Sequence, residues 1–203
     1  MNHQQIVMNN LAEKLKLFTS AVNGELVDEA DFIFANTGIP TDTFNVPLPK
    51  AAPIKNTATS WRDLMQQYRL NEAERNTMMK LENILHVGDR KTHQLIITPV
   101  RNVEEFHEYQ EVFLSLFEGT MEKIALAQYF NTFSEENLSS TAQMFIGRVD
   151  EVTVSTGLLI DSSESYGIYD VMTKERFRGK GYGSEMFHYL LTQTTDKQKP
   201  VVL

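Results

Sequence analysis

The chain has 203 residues, no cysteine, 19 basic and 27 acidic side chains and a formal charge of −8. The missing cysteines exclude a disulfide scaffold, a thiolate nucleophile and any cysteine-based zinc or iron–sulfur site. With 41% hydrophobic and 23% charged residues the composition is that of an ordinary globular protein, and its net acidity argues against the extended basic face of a general nucleic-acid binder.

The longest apolar runs, such as Gly157–Ile160 and Leu95–Ile97, fall far short of the roughly 20 residues of a membrane helix. Met1–Gln5 shows no basic segment followed by an apolar one, so no signal peptide is expected and the cytoplasm is the expected location. The length is generous for one domain and tight for two.

In chain order, apolar residues at helical spacing (Val7, Leu11, Leu15, Phe18) predict a first helix, with Gly24 beyond it as a stop. Phe32–Ala35 reads as a short strand. Prolines 40, 47, 49 and 53 confine the stretch from Gly38 to Pro53 to loop or edge structure. Ser60 with Asp63 caps a helix expected over Trp61–Arg69, and a second is expected over Asn71–Leu85. Polar His86–Lys91 reads as a linker, which divides the chain into residues 1–90 and 91–203.

The signals then sharpen. His93–Val100 reads as a strand, Asn102 with Glu105 forms a capping box for a helix over Val103–Phe117, and a further helix covers Met121–Phe133. Ala142–Val149 and Val152–Ile160, joined at Asp150-Glu151, predict a hairpin, followed by a strand over Gly167–Met172. A helix with Tyr182, Met186, Tyr189 and Leu190 on one face comes next, and Pro200–Leu203 begins a strand. This order combines an antiparallel hairpin with a β-α-β crossover, which predicts an α+β fold with a mixed, mostly antiparallel sheet flanked by helices.

Charge is unevenly spread: residues 93–172 hold 3 basic and 13 acidic groups, whereas residues 173–203 hold 6 and 3. The basic stretch Lys174–Lys180 directly precedes glycines 179, 181 and 183 and the start of a helix. Glycines let backbone approach a bulky anion, and the first-turn N–H groups and helix dipole favour negative charge. Arg178 and Lys180 add counter-charge. No glycine is followed by Lys-Ser or Lys-Thr as a Walker loop requires, and the third glycine stands one place early for a dinucleotide fingerprint.

The run Arg178-Gly-Lys-Gly-Tyr-Gly183 resembles motif A of the GCN5-related N-acetyltransferases, [QR]-x-x-G-x-[GA]. Ile168–Thr173 and the step to Arg178 resemble that family's fourth strand and following loop, and Phe145–Leu159 resembles its preceding hairpin. The resemblance covers about residues 93 to 203. It implies an acetyl-CoA site in which Val171, Met172 and Thr173 meet the pantetheine arm and thioester. Gly179, Lys180, Gly181, Tyr182, Gly183 and Ser184 would hold the pyrophosphate, with Arg178 leading the loop. Asp31–Pro40 resembles the front domain of some members, a degenerate copy of the fold without motif A.

The glutamate base of histone-type members falls on Gly167 and is therefore missing. Asp170 is the nearby catalytic candidate, and a strand-edge carboxylate is an equally good reading of it. The tyrosine acid of other members lies on a helix beyond the family's fifth strand, and the chain ends at Leu203 before it. On this resemblance the C-terminal part is expected to be incomplete, to be supplied by a partner copy in a homodimer or to leave catalysis impaired.

The five histidines lack metal spacing and Ser184 lacks a nucleophile-elbow context, so neither a metal site nor a serine nucleophile is expected. Phe106, Tyr109, Phe113 and Phe117 read as helix core, and the resemblance implies, as the alternative, that a few of them line an acceptor pocket. The resemblance implies transfer of acetyl from acetyl-CoA to a primary amine of a small molecule or peptide, for which the acidic middle segment favours a cationic acceptor. The competing readings are a non-catalytic acyl-CoA-binding or regulatory module and a nucleotide-binding protein with an unusual glycine loop.

Overall fold

The computed structural model of the chain describes residues 3–29, 32–41, 43–50, 66, 77–81, 95–134 and 141–203. Helix α1 (His3–Ser20) buries Val7, Met8, Leu15 and Phe18. It stops at a left-handed Asn23 (φ 53°) followed by Gly24, where a Cβ would lie 2.6 Å from the Asn36 carbonyl oxygen. Strands β1 (Glu25–Asp28), β2 (Phe32–Asn36) and β3 (Pro47–Pro49) form an antiparallel sheet in the order β1-β2-β3. Pro47 and Pro49 lie on its edge, where a missing N–H removes no ladder bond.

The main sheet is built from β4 (Lys80–Leu81), β5 (Ile96–Pro99), β6 (Ala142–Val149), β7 (Val152–Asp161), β8 (Tyr166–Thr173) and β9 (Val201–Val202), in the order β4-β9-β8-β7-β6-β5. All its pairs are antiparallel except β8 with β9. The β6–β7 hairpin turns at Asp150 and Glu151, both at positive φ (47° and 64°), a two-residue turn whose twist matches that of the strands. Helix α2 (Val103–Leu114) is capped by the Asn102 side chain, which accepts from Glu105 N–H at 2.8 Å, and runs on as a 3-10 turn to Phe117. Helix α3 spans Met121–Phe130 and helix α4 spans Tyr182–Gln193.

The mixed α+β sheet expected from the element order is the one that forms. Two local expectations change. The helix expected over Asn71–Leu85 is not the structure of its described part, because Lys80–Leu81 is a strand paired with Val201–Val202. Strand β1 adds to the expected elements. The Trp61–Arg69 helix and the residue-90 linker lie outside the described residues, apart from Gln66, which is helical.

The sheet separates two apolar layers. On one face α1, α2 and α3 bury Phe18, Phe106, Tyr109, Phe113, Leu126, Tyr129 and Phe130 against Met144, Ile146, Leu158 and Ile160. Phe44, from the loop before β3, stands in this layer with its ring centroid 4.4 Å from Tyr129 and 4.8 Å from Phe18. The front residues thus share one core with α2 and α3. On the other face α4 buries Met186, Leu190 and Leu191 against Phe145, Leu159, Ile168 and Val201. No described helix is long and apolar enough to cross a membrane.

Asn10 ties α1 to the sheet. Fully buried, it donates to the Ser165 carbonyl at 3.1 Å and accepts from the Tyr169 hydroxyl at 3.0 Å. Its Oδ1 fills the space beside Gly167, where a Cβ would come within 1.8 Å of it and 2.4 Å of the Tyr169 ring. Gly167→Ala is therefore expected to destabilise the fold by about 3 kcal/mol, at the high end of overpacking costs, which lowers Tm by about 6–12 °C for a chain of this size. Urea unfolding of the Gly167→Ala, Asn10→Ala and double variants checks this: the double variant should recover part of the loss, and additive losses would contradict the contact.

Candidate functional site

Strands β7 and β8 pair from Asp161↔Tyr166 to Leu158↔Tyr169 and resume at Thr156↔Met172 and Ser155↔Thr173. Between these pairs β8 spends two residues, Asp170 and Val171, where β7 spends only Gly157, which makes a β-bulge. Tyr169 and Asp170 consequently both turn to the α1–α2 face, and Val171 packs on the α4 face. Asp170 takes φ 51°, a left-handed conformation that costs a non-glycine residue roughly 1–2 kcal/mol. Gly157 is bare because a Cβ there would lie 2.7 Å from Leu190 Cδ1.

The bulge aims backbone donors. Thr156 Oγ1 donates to the Asp170 carbonyl at 3.0 Å, so that carbonyl faces β7. In a trans peptide the next N–H points the opposite way, which turns Val171 N–H away from β7. Ser155 Oγ donates to the Met172 carbonyl at 2.7 Å, and by the same geometry Thr173 N–H also turns away. Among the described residues β9 accompanies β8 only at Tyr166 and Gly167, so both N–H groups open onto the flank of the sheet beyond β9.

Behind the bulge, Lys14 Nζ of α1 stands 2.6 Å from Asp170 Oδ1, and the Tyr109 hydroxyl of α2 donates to Oδ2 at 3.2 Å. The ammonium also lies 4.9 Å from the Tyr169 ring centroid, a cation–π distance. Both carboxylate oxygens are engaged, and the Asp170 side chain is only 7% exposed. Burial, reinforced by the Asp170 charge, pushes the Tyr109 phenol well above its usual range, so it remains a donor. The same two causes raise the phenols of Tyr129 and Tyr169.

After Thr173 a 3-10 turn over Glu175–Phe177 carries the chain to Arg178, whose Nε donates back to the Thr173 carbonyl at 3.1 Å. Gly179 and Gly181 take φ 76° and 90°, which glycine adopts without strain. A Cβ at either would meet nothing within 4 Å, so this backbone borders open space. The first bond of α4 runs from Glu185 N–H to the Gly181 carbonyl at 3.0 Å, leaving the N–H groups of Tyr182, Gly183 and Ser184 ahead of it. Gly183 is close-packed, with a Cβ position 3.3 Å from Thr173 Oγ1.

The structure thus gathers the expected residues at one end of β8, in two groups. Val171 and Thr173 present N–H groups to the opening, whereas Met172 turns its carbonyl into the sheet. Arg178, Gly179, Lys180 and Gly181 form the loop, and Tyr182, Gly183 and Ser184 the first turn of α4, with the Tyr182 ring buried. Phe106, Tyr109 and Phe113 are core residues. No described group of histidine and carboxylate side chains has the geometry to hold a metal ion. Lys14 and the hydroxyl of Tyr109 are the site residues that sequence reasoning missed.

No family model and no curated protein matches the chain. Among solved structures, a GCN5-related N-acetyltransferase from Kribbella flavida aligns over 97% of this chain and 84% of its own, at 12% identity and a TM-score of 0.59. A functionally unknown conserved protein from Staphylococcus epidermidis aligns over 90% and 83%, at 14% identity and the same TM-score of 0.59. At such identities the likeness is one of architecture: the chain has the GCN5-related N-acetyltransferase fold. With 97% of the chain aligned, the alignment takes in the front segment as well as the main sheet.

The three raised phenols carry a pH signature. In the unfolded chain they ionise near pH 10, and in the folded chain only above that, so their contribution to stability is full below pH 10 and lost as pH rises further. Each should steepen the loss by about 1.4 kcal/mol per pH unit. Urea unfolding between pH 8 and 11 should show a level region followed by this decline, and the Tyr→Phe variants at 109, 129 and 169 should each flatten it. An unchanged slope in all three would contradict the assignment.

Proposed function

We propose that this protein is an N-acetyltransferase that moves the acetyl group of acetyl-CoA to a primary amine of a small molecule or peptide, in the cytoplasm. The observation that carries the reading is the shared opening of two elements: the outward N–H groups of Val171 and Thr173, and the bare glycine turn leading into α4. A CoA molecule has a pyrophosphate for the second and a thioester-bearing arm for the first.

In this reading the backbone N–H groups from Gly179 to Ser184 hold the pyrophosphate, with Arg178 and Lys180 as counter-charges. The pantetheine arm runs along Val171 and Thr173, and Val171 N–H donates to the thioester carbonyl, where negative charge develops as the amine attacks. The chain has no cysteine to carry an acyl group, which favours direct attack in a ternary complex. The new C–N bond forms as the C–S bond breaks, and the proton the amine loses balances the departing thiolate. Residues 1–90 act as a support on the acceptor side, since α1 covers the bulge through Asn10 and Lys14.

A second reading, a non-catalytic acyl-CoA-binding module, is favoured by two observations: both oxygens of Asp170 are occupied, and Asn10 fills the place where a carboxylate at position 167 would stand. Calorimetric titration with acetyl-CoA tests the common part. Ser184→Glu adds a negative charge to the exposed first turn of α4 without backbone strain, and should weaken CoA binding by about tenfold, or about 1.4 kcal/mol, with Tm preserved. Unchanged affinity would contradict the cradle. Thiol release across a panel of primary amines separates the two readings: turnover supports transfer, and binding without turnover supports the module.

A further inference from the structure

The placement of Lys14 has a consequence for the acyl group. The direction of Val171 N–H is set by the peptide plane it shares with Asp170, and Asp170 holds a left-handed φ of 51°, a conformation uncommon for an L-residue though tolerated by Asp, which its surroundings help to hold. Three groups hold it here. Thr156 Oγ1 fixes the carbonyl of that peptide at 3.0 Å. Lys14 Nζ at 2.6 Å and the Tyr109 hydroxyl at 3.2 Å take one carboxylate oxygen each, from two different helices. The carboxylate thereby works as a handle by which α1 and α2 grip the backbone of the bulge.

The handle is well isolated from water. Tyr109 is fully buried, and the side chains of Lys14 and Asp170 are 17% and 7% exposed. Lys14 is also held over the Tyr169 and Phe18 rings, at 4.9 and 5.6 Å from their centroids. A group so enclosed resists rearrangement, and a short ionic contact in a dry site fixes position more tightly than one at the surface.

We propose that Lys14 and Tyr109 are positioning residues for the acyl group: through Asp170 they hold the bulge so that Val171 N–H is aimed at the thioester carbonyl. This rests on the acetyl-CoA reading above. It makes α1, more than 150 residues away in sequence, a determinant of how the acyl carbonyl is polarised. Neither residue touches the reacting atoms in this scheme, and neither helps to hold the pyrophosphate, which lies with the Gly179–Ser184 backbone.

The probe is acetyl-CoA labelled with 13C at the acetyl carbonyl, whose chemical shift moves downfield when the oxygen accepts a hydrogen bond. With wild-type protein the bound signal should lie downfield of free acetyl-CoA. In Lys14→Met and in Tyr109→Phe at least half of that displacement should be lost, while calorimetric affinity for CoA, which has no acyl carbonyl, stays unchanged. Lys14→Arg, which keeps the cation, should retain the displacement. Tyr109→Phe removes only a hydroxyl and keeps the ring in the core, so it decides the matter even where Lys14→Met unfolds. A full displacement in Tyr109→Phe, or a wild-type carbonyl that binds without moving, would overturn the positioning role. Failure of wild-type protein to bind CoA would overturn the acetyl-CoA reading itself.

Discussion

One extra residue in β8, set opposite Gly157, decides which side chains of this strand reach which layer, because a strand that gains a residue changes the face of everything beyond it. Without it, Tyr169 and Asp170 would fall on opposite faces of the sheet. With it, both reach the α1–α2 layer, and Val171 is delivered to the α4 layer. Gly157 permits the bulge from the other side, since any side chain there would collide with Leu190 and Met186 of α4. The bulge also turns two N–H groups toward an opening that a fully paired strand would have closed.

The charges around this region differ greatly in weight. Lys16 with Glu13 and Lys123 with Glu118 are exposed pairs of a kind worth about 0–1 kcal/mol. Lys14 with Asp170 is largely buried, and removing either partner would strand the other in a dry core at a cost of about 3–5 kcal/mol. A second constraint lies at the hairpin end, where Arg148 grips Glu108 through two bonds of 2.8 Å and ties β6 to α2. That guanidinium, through its hydrogen bonds, holds the Glu108 carboxyl below its usual range. Glu108 is the neighbour of Tyr109 in the middle of α2, so this contact holds the same turn of the helix against the sheet from which Tyr109 reaches Asp170.

Much of this was legible in the sequence, and the illegible parts share a physical cause. The glycine turn into α4 could be read because its chemistry is local: glycines at 179, 181 and 183 beside a short basic run specify loop, helix start and charge together. The hairpin and the capped α2 were equally local. The grip on Asp170 was not, since Lys14 and Asp170 are separated by 156 positions and nothing in the neighbourhood of either names the other. Asp170 itself could be singled out but not interpreted, because its role depends on partners from α1 and α2. Lys80–Leu81 lies in a stretch whose local pattern predicts helix, for the same reason: its strand conformation is imposed by pairing with Val201–Val202, and local propensity yields to that.

In the proposed function the flank of β8 and the glycine turn serve one acyl-CoA site. The most direct test is an amide-resolved NMR titration of 15N-labelled protein with CoA and then with acetyl-CoA. CoA is expected to shift the amides from Gly179 to Ser184 together with Thr173, and the acetyl group to add a further shift centred on Val171. Shifts that leave Val171, Thr173 and the glycine turn unmoved, or that fall elsewhere on the chain, would contradict it.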